Sequence, residues 1–290
     1  MIEIFHISDL HFGKQTKKAR LLLEKVKEKL KINEQENKYL LVTGDITQDG
    51  GKGQFKTAKD ALISFKGKVL VVPGNHDYGF LGFIYSEASA KNFDEILSGG
   101  LGISHPYFPK EPFSKVLEDK EGNKMLMIGL NSCSETPQIF DIAAGDIGDG
   151  QRNSLDNILS NQEYKDIPKI IFLHHIPHKR AQGIGMSLKD HRKLMALVRN
   201  RVNAFAFGHE GSMEDVKEKE AKKIELSAQE KKRLKTIKKL SLPAREMKLR
   251  SGKGQGIRYY LDANNSVEEV ACYHIKVEGN EVSARLVRLS

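Results

Sequence analysis

The chain has few of the features that mark secreted or membrane-spanning proteins. It contains two cysteines among 290 residues, Cys133 and Cys272, and neither belongs to a Cys-x-x-Cys pair, which argues against a disulfide framework or a thiolate zinc site. No segment reaches the roughly 18 consecutive apolar residues of a membrane span. The N-terminus opens on the strand-like run Ile2–Ile7, without the basic region or the cleavage site of a signal peptide. We therefore expect a cytoplasmic protein with no membrane partner.

The positive charge is concentrated in one segment. The net charge is +9, and residues 213–253 hold 14 Lys or Arg against 7 Asp or Glu, so +7 lies there. Such a segment could follow a nucleic-acid backbone or form the solvated face of a helix. The chain has no tryptophan and the segment has no aromatic residue to stack on bases, which favours the second interpretation. We predict a single domain over residues 1–290 with a basic, helical insertion at 213–253.

Hydrophobic periodicity predicts an α/β protein. In the first half, apolar strand-like runs alternate with amphipathic stretches, which is the βαβ rhythm of a sheet with helical crossovers. Strands are predicted at 2–7, 39–43, 69–72, 114–117, 125–129, 169–173, 204–207, 257–261, 268–277 and 282–288. Helices are predicted near 16–32, 53–65, 86–97, 150–159 and 187–199. Two hairpins are expected, one at 114–129 and one at the end of the chain, and two sheets flanked by helices follow.

Short polar motifs stand just after several of the predicted strands. They are Ser8-Asp9-Leu10-His11, Gly44-Asp45, Gly74-Asn75-His76-Asp77, Leu173-His174-His175 and Gly208-His209. Carboxylate, imidazole and carboxamide groups are the ligands of two-metal sites that cleave phosphoesters. In such a site, two cations about 3.5–4 Å apart neutralise the ester and lower the pKa of a bridging water, which then attacks in line.

Residue chemistry suggests a role for the first motifs. Asp9 and His11 are two residues apart, so in extended backbone they point the same way and can share one metal ion. Asp45 is the type of single carboxylate that can bridge both ions, and Asn75 supplies a neutral carbonyl oxygen. His76, next to that ligand, is free to face the leaving oxygen.

Two further histidines follow later strands. His174 and His209 each stand at the end of an apolar strand and would complete the shell of the second metal ion with imidazole nitrogen. His175 is an alternative to its neighbour as the ligand, and motif position favours His174. Asp77 is expected to hold an imidazole in its tautomer, a role that metal sites usually require.

In their order, these motifs resemble those of the calcineurin-like metallophosphoesterase superfamily. The resemblance runs from Ile4 to about Glu210. It is most similar to the branch of the class III cyclic nucleotide phosphodiesterases, on the basis of the run Thr43–Thr47, its spacing to Gly74, and Gly148 with Gln151 and Leu155. It implies a four-layer α/β/β/α sandwich of two mixed sheets, with two divalent ions (Mn, Fe, Mg or Zn, with Mn favoured) at the strand ends. The implied ligands are Asp9, His11 and Asp45 for metal 1 and Asp45, Asn75, His174 and His209 for metal 2. The implied catalytic residues are Asp45 and His76.

One departure concerns the family's Gly-His-x-His motif, which ends here in Gly211 instead of the second histidine, normally a ligand of metal 1. Three outcomes are open. Water fills the vacant position, which we favour, or an acidic side chain from Glu210, Glu214 or Asp215 reaches it, or metal 1 binds weakly.

The sequence supports three functions unequally. A phosphodiesterase that hydrolyses a nucleotide or a related diester agrees best with the motifs and the branch resemblance. A metal-dependent nuclease is the alternative, supported only by the basic segment at 213–253. A non-catalytic module that binds phosphate or nucleic acid is a further alternative, and the retained His76 argues against it. The oligomeric state is not predicted.

Overall fold

The computed structural model describes most of the chain. The described residues are 1–31, 37–80, 82, 84–103, 105–107, 110–133, 144–177, 188–209, 248–251, 257, 259–263 and 266–289. None of the helices described there is long and apolar enough to cross a bilayer.

The first half folds as the predicted βαβαβ unit. Its elements are strand β1 (Ile2–Ile7), helix α1 (Thr16–Leu30), strand β2 (Lys38–Thr43), helix α2 (Lys52–Leu62) and strand β3 (Val69–Val72). The three strands are parallel, with β2 between β1 and β3. The helices form because apolar residues recur along one side of each, such as Phe55, Ala58 and Leu62 in α2, and this side is buried against the sheet.

The rest of the chain adds ten strands and four α-helices among the described residues. They are β4 (Gly79–Phe80), β5 (Ile84–Tyr85), α3 (Glu87–Asn92), β6 (Phe113–Glu118), β7 (Lys124–Gly129), α4 (Asp149–Ser160), β8 (Lys169–Phe172), α5 (His191–Val198), β9 (Ala204–Phe207), β10 (Lys248–Ser251), β11 (Tyr259–Asp262), α6 (Ser266–Glu269), β12 (Ala271–Glu278) and β13 (Glu281–Arg288).

These strands form two large mixed sheets. The first has five strands in the order β13-β12-β1-β2-β3, and the second has six in the order β10-β11-β9-β8-β7-β6. In the second sheet, β7, β8, β9 and β11 run parallel, while β6 and β10 are antiparallel edge strands. The two predicted hairpins are confirmed as β6–β7 and β12–β13.

The layers can be read from one strand. In β7, Met125 and Met127 belong to the core that also contains the first sheet, whereas Leu126 and Ile128 belong to a second core with residues of α4 and α5. Alternate side chains of a strand point to opposite faces, so the second sheet has the first sheet on one face and helices on the other. The predicted α/β/β/α sandwich is therefore confirmed.

Several details differ from the sequence-based expectation. The insertion predicted at 213–253 lies outside the described residues except at its end, where Lys248–Ser251 pairs with β11 as a strand rather than a helix. The last strand pair begins later than predicted, because Ser266–Glu269 is helical. The small β4–β5 hairpin was not predicted, since two-residue strands leave no periodic pattern. The single-domain assignment stays a prediction.

Candidate metal centre

The polar motifs meet where the parallel strands of the two sheets end. Asp9 follows β1, Asp45 follows β2, and Asn75 and His76 follow β3. His174 follows β8, and His209 follows β9 in the second sheet. Their side chains form two groups of possible metal ligands that share one carboxylate, that of Asp45. We call Asp45, His174 and His209 the buried group, and His11, Asp45 and His76 the open group.

The buried group is compact. His174 Nε2 lies 3.3 Å from Asp45 Oδ1, 3.1 Å from Asn75 Oδ1 and 2.9 Å from His209 Nδ1. The side chain of His174 is fully buried, and His209 is 4% exposed. The predicted ligands of metal 2 therefore converge on one point, with Asn75 beside the buried group.

The hydrogen bonds of the buried group fit a cation. His174 Nδ1 donates to the carbonyl oxygen of Thr43 at 2.8 Å, so in the neutral ring Nε2 carries a lone pair. That lone pair faces a carboxylate oxygen of Asp45 and the carboxamide oxygen of Asn75, neither of which can donate. Acceptors brought this close repel one another unless positive charge lies between them, so these residues suit a divalent ion.

Electrostatics lead to the same conclusion. Burial alone would lower the pKa of His174, but the charge of Asp45 and a hydrogen bond to it raise this pKa to about 9. Burial raises the pKa of Asp9 to about 8; the charge of His174 opposes this shift and the charge of Asp45 adds to it. For Asp45, burial opposes ionisation, yet the charges of His174 and His76 hold its pKa well below the usual value. The site thus attracts positive charge into a buried position.

The open group is wider and less buried. The Nε2 atoms of His11 and His76 lie 3.8 Å and 4.0 Å from Asp45 Oδ2, and their side chains are 16% and 22% exposed. His11 Nε2 is also 3.9 Å from Asp9 Oδ1. Two ligands of one ion, each about 2.1 Å from it, are at most about 4.2 Å apart, so each of these histidines can share an ion with Asp45. The predicted ligands of metal 1 are thus brought together, with His76 beside them.

The backbone of the ligand loops is left-handed, and here the sequence-based expectation was wrong. Asp9, His11, Asp45 and His209 have φ of 59°, 44°, 48° and 70°, so Asp9 and His11 are not in extended backbone. Among the described residues, only three other non-glycine residues have positive φ. Such conformations are costly and cluster at functional sites. The backbone N–H of Asp9 donates to the Gly44 carbonyl, and that of His11 donates to the Asp45 carbonyl, which holds these two residues in place.

Two glycines of the motifs are required by close packing. A Cβ atom at Gly74 would overlap Asp45 Oδ1, and one at Gly208 would overlap Ser8 Oγ and lie 2.5 Å from Asp9 Oδ2. The absence of a side chain therefore lets both carboxylates reach the centre.

Asp77 does not hold an imidazole, contrary to prediction. Its buried carboxylate accepts hydrogen bonds from the backbone N–H groups of Ile46, Thr47 and Gly74 at 2.7–3.1 Å, and from the Thr47 hydroxyl at 2.9 Å. It therefore joins the loop that carries Asp45 to the loop that carries Asn75. Backbone carbonyls take the role assigned to it: His174 donates to Thr43, and His76 Nδ1 donates to Gln48 at 2.8 Å.

The geometry favours His174 over its neighbour His175 as a metal ligand. His174 belongs to the buried group, whereas His175 Nδ1 is hydrogen-bonded to Ser132 Oγ at 2.8 Å and its ring packs against His209, with 4.3 Å between centroids. Burial and the charge of His209 hold the pKa of His175 well below its usual value. The acidic residues proposed as possible ligands of metal 1, Glu210, Glu214 and Asp215, lie outside the described residues, as does Gly211.

Residues 2–213 match the family described as calcineurin-like phosphoesterase. No curated protein matches the chain. Three solved structures are similar at 13% identity each: a dimetal phosphatase from Danio rerio (TM-score 0.62, 100% of this chain and 96% of that one), GAP50, the anchor in the inner membrane complex of Plasmodium (0.61, 99% and 84%), and the NAD nucleotidase NadN of Haemophilus influenzae (0.53, 99% and 55%).

At such low identity, these structures support the fold alone. None of them tests the resemblance to the class III branch or the cytoplasmic location, and both stay predictions. The family match covers most of the chain and includes all five strand-end motifs. The chain belongs to the calcineurin-like phosphoesterase family.

Proposed function

We propose that this phosphoesterase is a binuclear, metal-dependent phosphodiesterase that hydrolyses a nucleotide or a related diester. The observation that carries the proposal is the shared position of Asp45, whose Oδ1 faces His174 and whose Oδ2 faces His11 and His76. A carboxylate that directs one oxygen to each of two ligand groups is suited to bridge two cations. The family match and a fold shared with a phosphatase and a nucleotidase are consistent with phosphoester chemistry.

The residues would divide between the two ions as follows. Asp45, Asn75, His174 and His209 would hold one ion, and Asp9, His11 and Asp45 the other. Two bound ions, with Mn²⁺ favoured, would neutralise the ester oxygens and lower the pKa of a water molecule between them. Because Gly211 replaces a histidine, the ion at Asp9 and His11 has three protein ligands in this assignment and exchanges more readily than the other.

His76 is suited to act on the leaving group. Its Nδ1 donates to the Gln48 carbonyl, which fixes the ring, and its backbone N–H donates to Asp45 Oδ1 at 3.0 Å. Its Nε2 lies 4.0 Å from Asp45 Oδ2, and its side chain is more exposed than that of His174. Because Nδ1 donates to a carbonyl, Nε2 carries a proton only in the imidazolium form of the ring. In that form, the Nε2 proton can be donated to the leaving oxygen, which lowers the cost of expelling an alkoxide.

The test compares a diester with a monoester. Chelator-stripped protein is titrated with Mn²⁺, and hydrolysis of bis-(p-nitrophenyl) phosphate is measured beside that of p-nitrophenyl phosphate. We expect the diester to be preferred and its turnover to rise in two metal-dependent steps. Preference for the monoester would contradict the diesterase proposal, and no turnover of either ester at any metal concentration would favour a non-catalytic binding module.

A nuclease remains the alternative, because the segment at 213–253 carries a net charge of +7. The dependence on salt concentration distinguishes a nuclease from a phosphodiesterase of small molecules. Affinity for single-stranded DNA should fall steeply with salt if the segment tracks phosphates, whereas the KM for a small diester should change little. A nuclease would show the steep dependence for its turnover of nucleic acid.

A further inference from the structure

Gly82, at the turn between β4 and β5, lies against the candidate metal centre. This residue is buried and has a φ of +73°, and its N–H donates to the Gly79 carbonyl at 3.2 Å. The hairpin is joined to the loop that carries Asn75 and His76 by the hydrogen bond from Ser86 N–H to the Tyr78 carbonyl at 2.7 Å. The position of Gly82 is therefore set by the backbone on both sides of the hairpin.

The carbonyl of Gly82 orients a candidate ligand. Asn75 Nδ2 donates to this carbonyl at 2.8 Å, which leaves Oδ1 directed at His174 Nε2, 3.1 Å away. A carboxamide can present either its oxygen or its nitrogen, and only the oxygen can bind a metal ion. The hydrogen bond to Gly82 selects the orientation that can bind.

The missing side chain of Gly82 makes room for two residues of the centre. A Cβ atom at this position would overlap Asn75 Nδ2 and would lie 2.7 Å from Cδ2 and 2.8 Å from Nε2 of His76. These distances are shorter than the contact distance of non-bonded carbon and nitrogen atoms. A methyl group at this position must therefore displace the His76 ring or the Asn75 amide. Both belong to the proposed site.

We infer that Gly82 is a positioning residue: its carbonyl orients the Asn75 amide toward the metal ion, and its bare Cα leaves the space in which His76 faces the leaving group. The inference rests on the proposed function, since it assumes that Asn75 is a ligand. Residues that orient metal ligands typically change affinity or activity by about 10–100-fold when replaced.

The experiment compares Gly82→Ala with Gly122→Ala. Gly122 has a similar φ of +80° at the turn of the β6–β7 hairpin, and a Cβ atom there meets nothing within 4 Å, so this control carries the backbone cost of an alanine without the contact. Mn²⁺ binding is measured by equilibrium dialysis and by the electron paramagnetic resonance spectrum of bound Mn²⁺, and thermal melting checks the fold. None of these readouts depends on activity.

We expect Gly82→Ala to weaken the tighter Mn²⁺ site by at least about 10-fold and to change its spectrum, while Gly122→Ala binds like the wild type. Equal binding by the two variants would overturn the inference. Failure of the wild type to bind Mn²⁺ would instead contradict the proposed function, so the two failures are distinguishable.

A double-mutant cycle tests whether Gly82 acts through Asn75. In an Asn75→Ala background, the group nearest to the added methyl is gone, so Gly82→Ala should cost less than about 3-fold in Mn²⁺ affinity. An undiminished cost would overturn the inference. The double variant is also expected to fold if Gly82→Ala alone does not, and its failure to fold would show that Gly82 serves the fold rather than the centre.

Discussion

The buried group and the open group each combine Asp45 with two histidines, but they differ in the spacing of these residues and in their exposure to solvent. In the buried group, the possible ligand atoms of Asp45 and His209 lie 2.9–3.3 Å from His174 Nε2, and both histidines are inaccessible to solvent or nearly so. In the open group, His11 and His76 lie 3.8–4.0 Å from Asp45 and are partly exposed. Under the proposed function, we therefore expect the buried group to retain its ion more firmly than the open group, which is nearer to solvent.

The difference follows from what carries each group. His174 and His209 are buried and stand two residues after β8 and β9, which are central, parallel strands of the second sheet. His11 and His76 stand on loops after β1 and β3, and their rings contact each other edge to face at 4.9 Å. His11 and His76 are four residues beyond their strands, and a position close to a strand end holds a ligand more firmly than one farther along a loop.

The largest effect is expected from the residue that the groups share. Asp45→Asn keeps the shape of the side chain but removes the negative charge that both groups face, so turnover of bis-(p-nitrophenyl) phosphate should fall by about 10³-fold or more. Turnover is measured at saturating Mn²⁺, with the melting temperature as the check on folding. Full activity in a folded variant would contradict the assignment of both groups.

A sharper separation comes from replacing one histidine in each group. His174→Ala should abolish the retention of Mn²⁺ through dialysis, because the buried group loses its central ligand. His11→Ala should retain one ion and weaken the second metal-dependent step by about 10–100-fold. Metal content after dialysis and the Mn²⁺ dependence of turnover are measured.

His175→Ala is the matched control for His174→Ala, since His175 is the adjacent buried imidazole and lies outside the buried group. It should retain the ion. Loss of the ion in His175→Ala but not in His174→Ala would reverse the choice between the two histidines.

His6 belongs to neither ligand group, so it shows what burial alone does to the pKa of a histidine in this protein. It is buried outside both groups, is hydrogen-bonded to Thr43 Oγ1 at 2.8 Å, and burial lowers its pKa from 6.5 to about 3. Between these values the unfolded chain binds the extra proton, so the free energy of unfolding falls as pH drops from about 6.5, by up to about 1.4 kcal/mol per pH unit. His6→Gln should remove this part of the slope in urea titrations between pH 4 and 6.5. Identical slopes would show that His6 is protonated in the folded protein.

The smallest effect is expected from the basic segment. The variant lacks residues 213–247, which are replaced by a short Gly-Ser linker. Hydrolysis of a small diester and its two-step Mn²⁺ dependence should be unchanged, because we favour water as the remaining ligand of the ion at Asp9, His11 and Asp45. The deletion stops at 247 because Lys248–Ser251 is a strand of the second sheet. Loss of the weaker step alone would show that Glu214 or Asp215 supplies a ligand, and loss of folding would make the segment structural.

Much of the candidate site could be predicted from local sequence. Each motif directly follows an apolar run, and parallel strands end at the same edge of their sheet, so Asp9, Asp45 and Asn75 were expected to lie together. The alternation of Met125, Leu126, Met127 and Ile128 could not by itself show what covers each face. The short β4–β5 hairpin and β10 were missed because local periodicity needs more residues than these strands have.

The sequence alone determined which ligand types are present and at which strand ends, because a side chain's chemistry and the pattern of the strand before it are local properties. Tertiary structure alone decided how these ligands divide into a buried and an open group. It also decided which nitrogen of His174 faces the centre, because that depends on the Thr43 carbonyl, 131 residues away in the chain. Every residue has the same backbone carbonyl, so no sequence pattern predicts which carbonyl will accept a hydrogen bond from a given ring. Tertiary packing alone selects it.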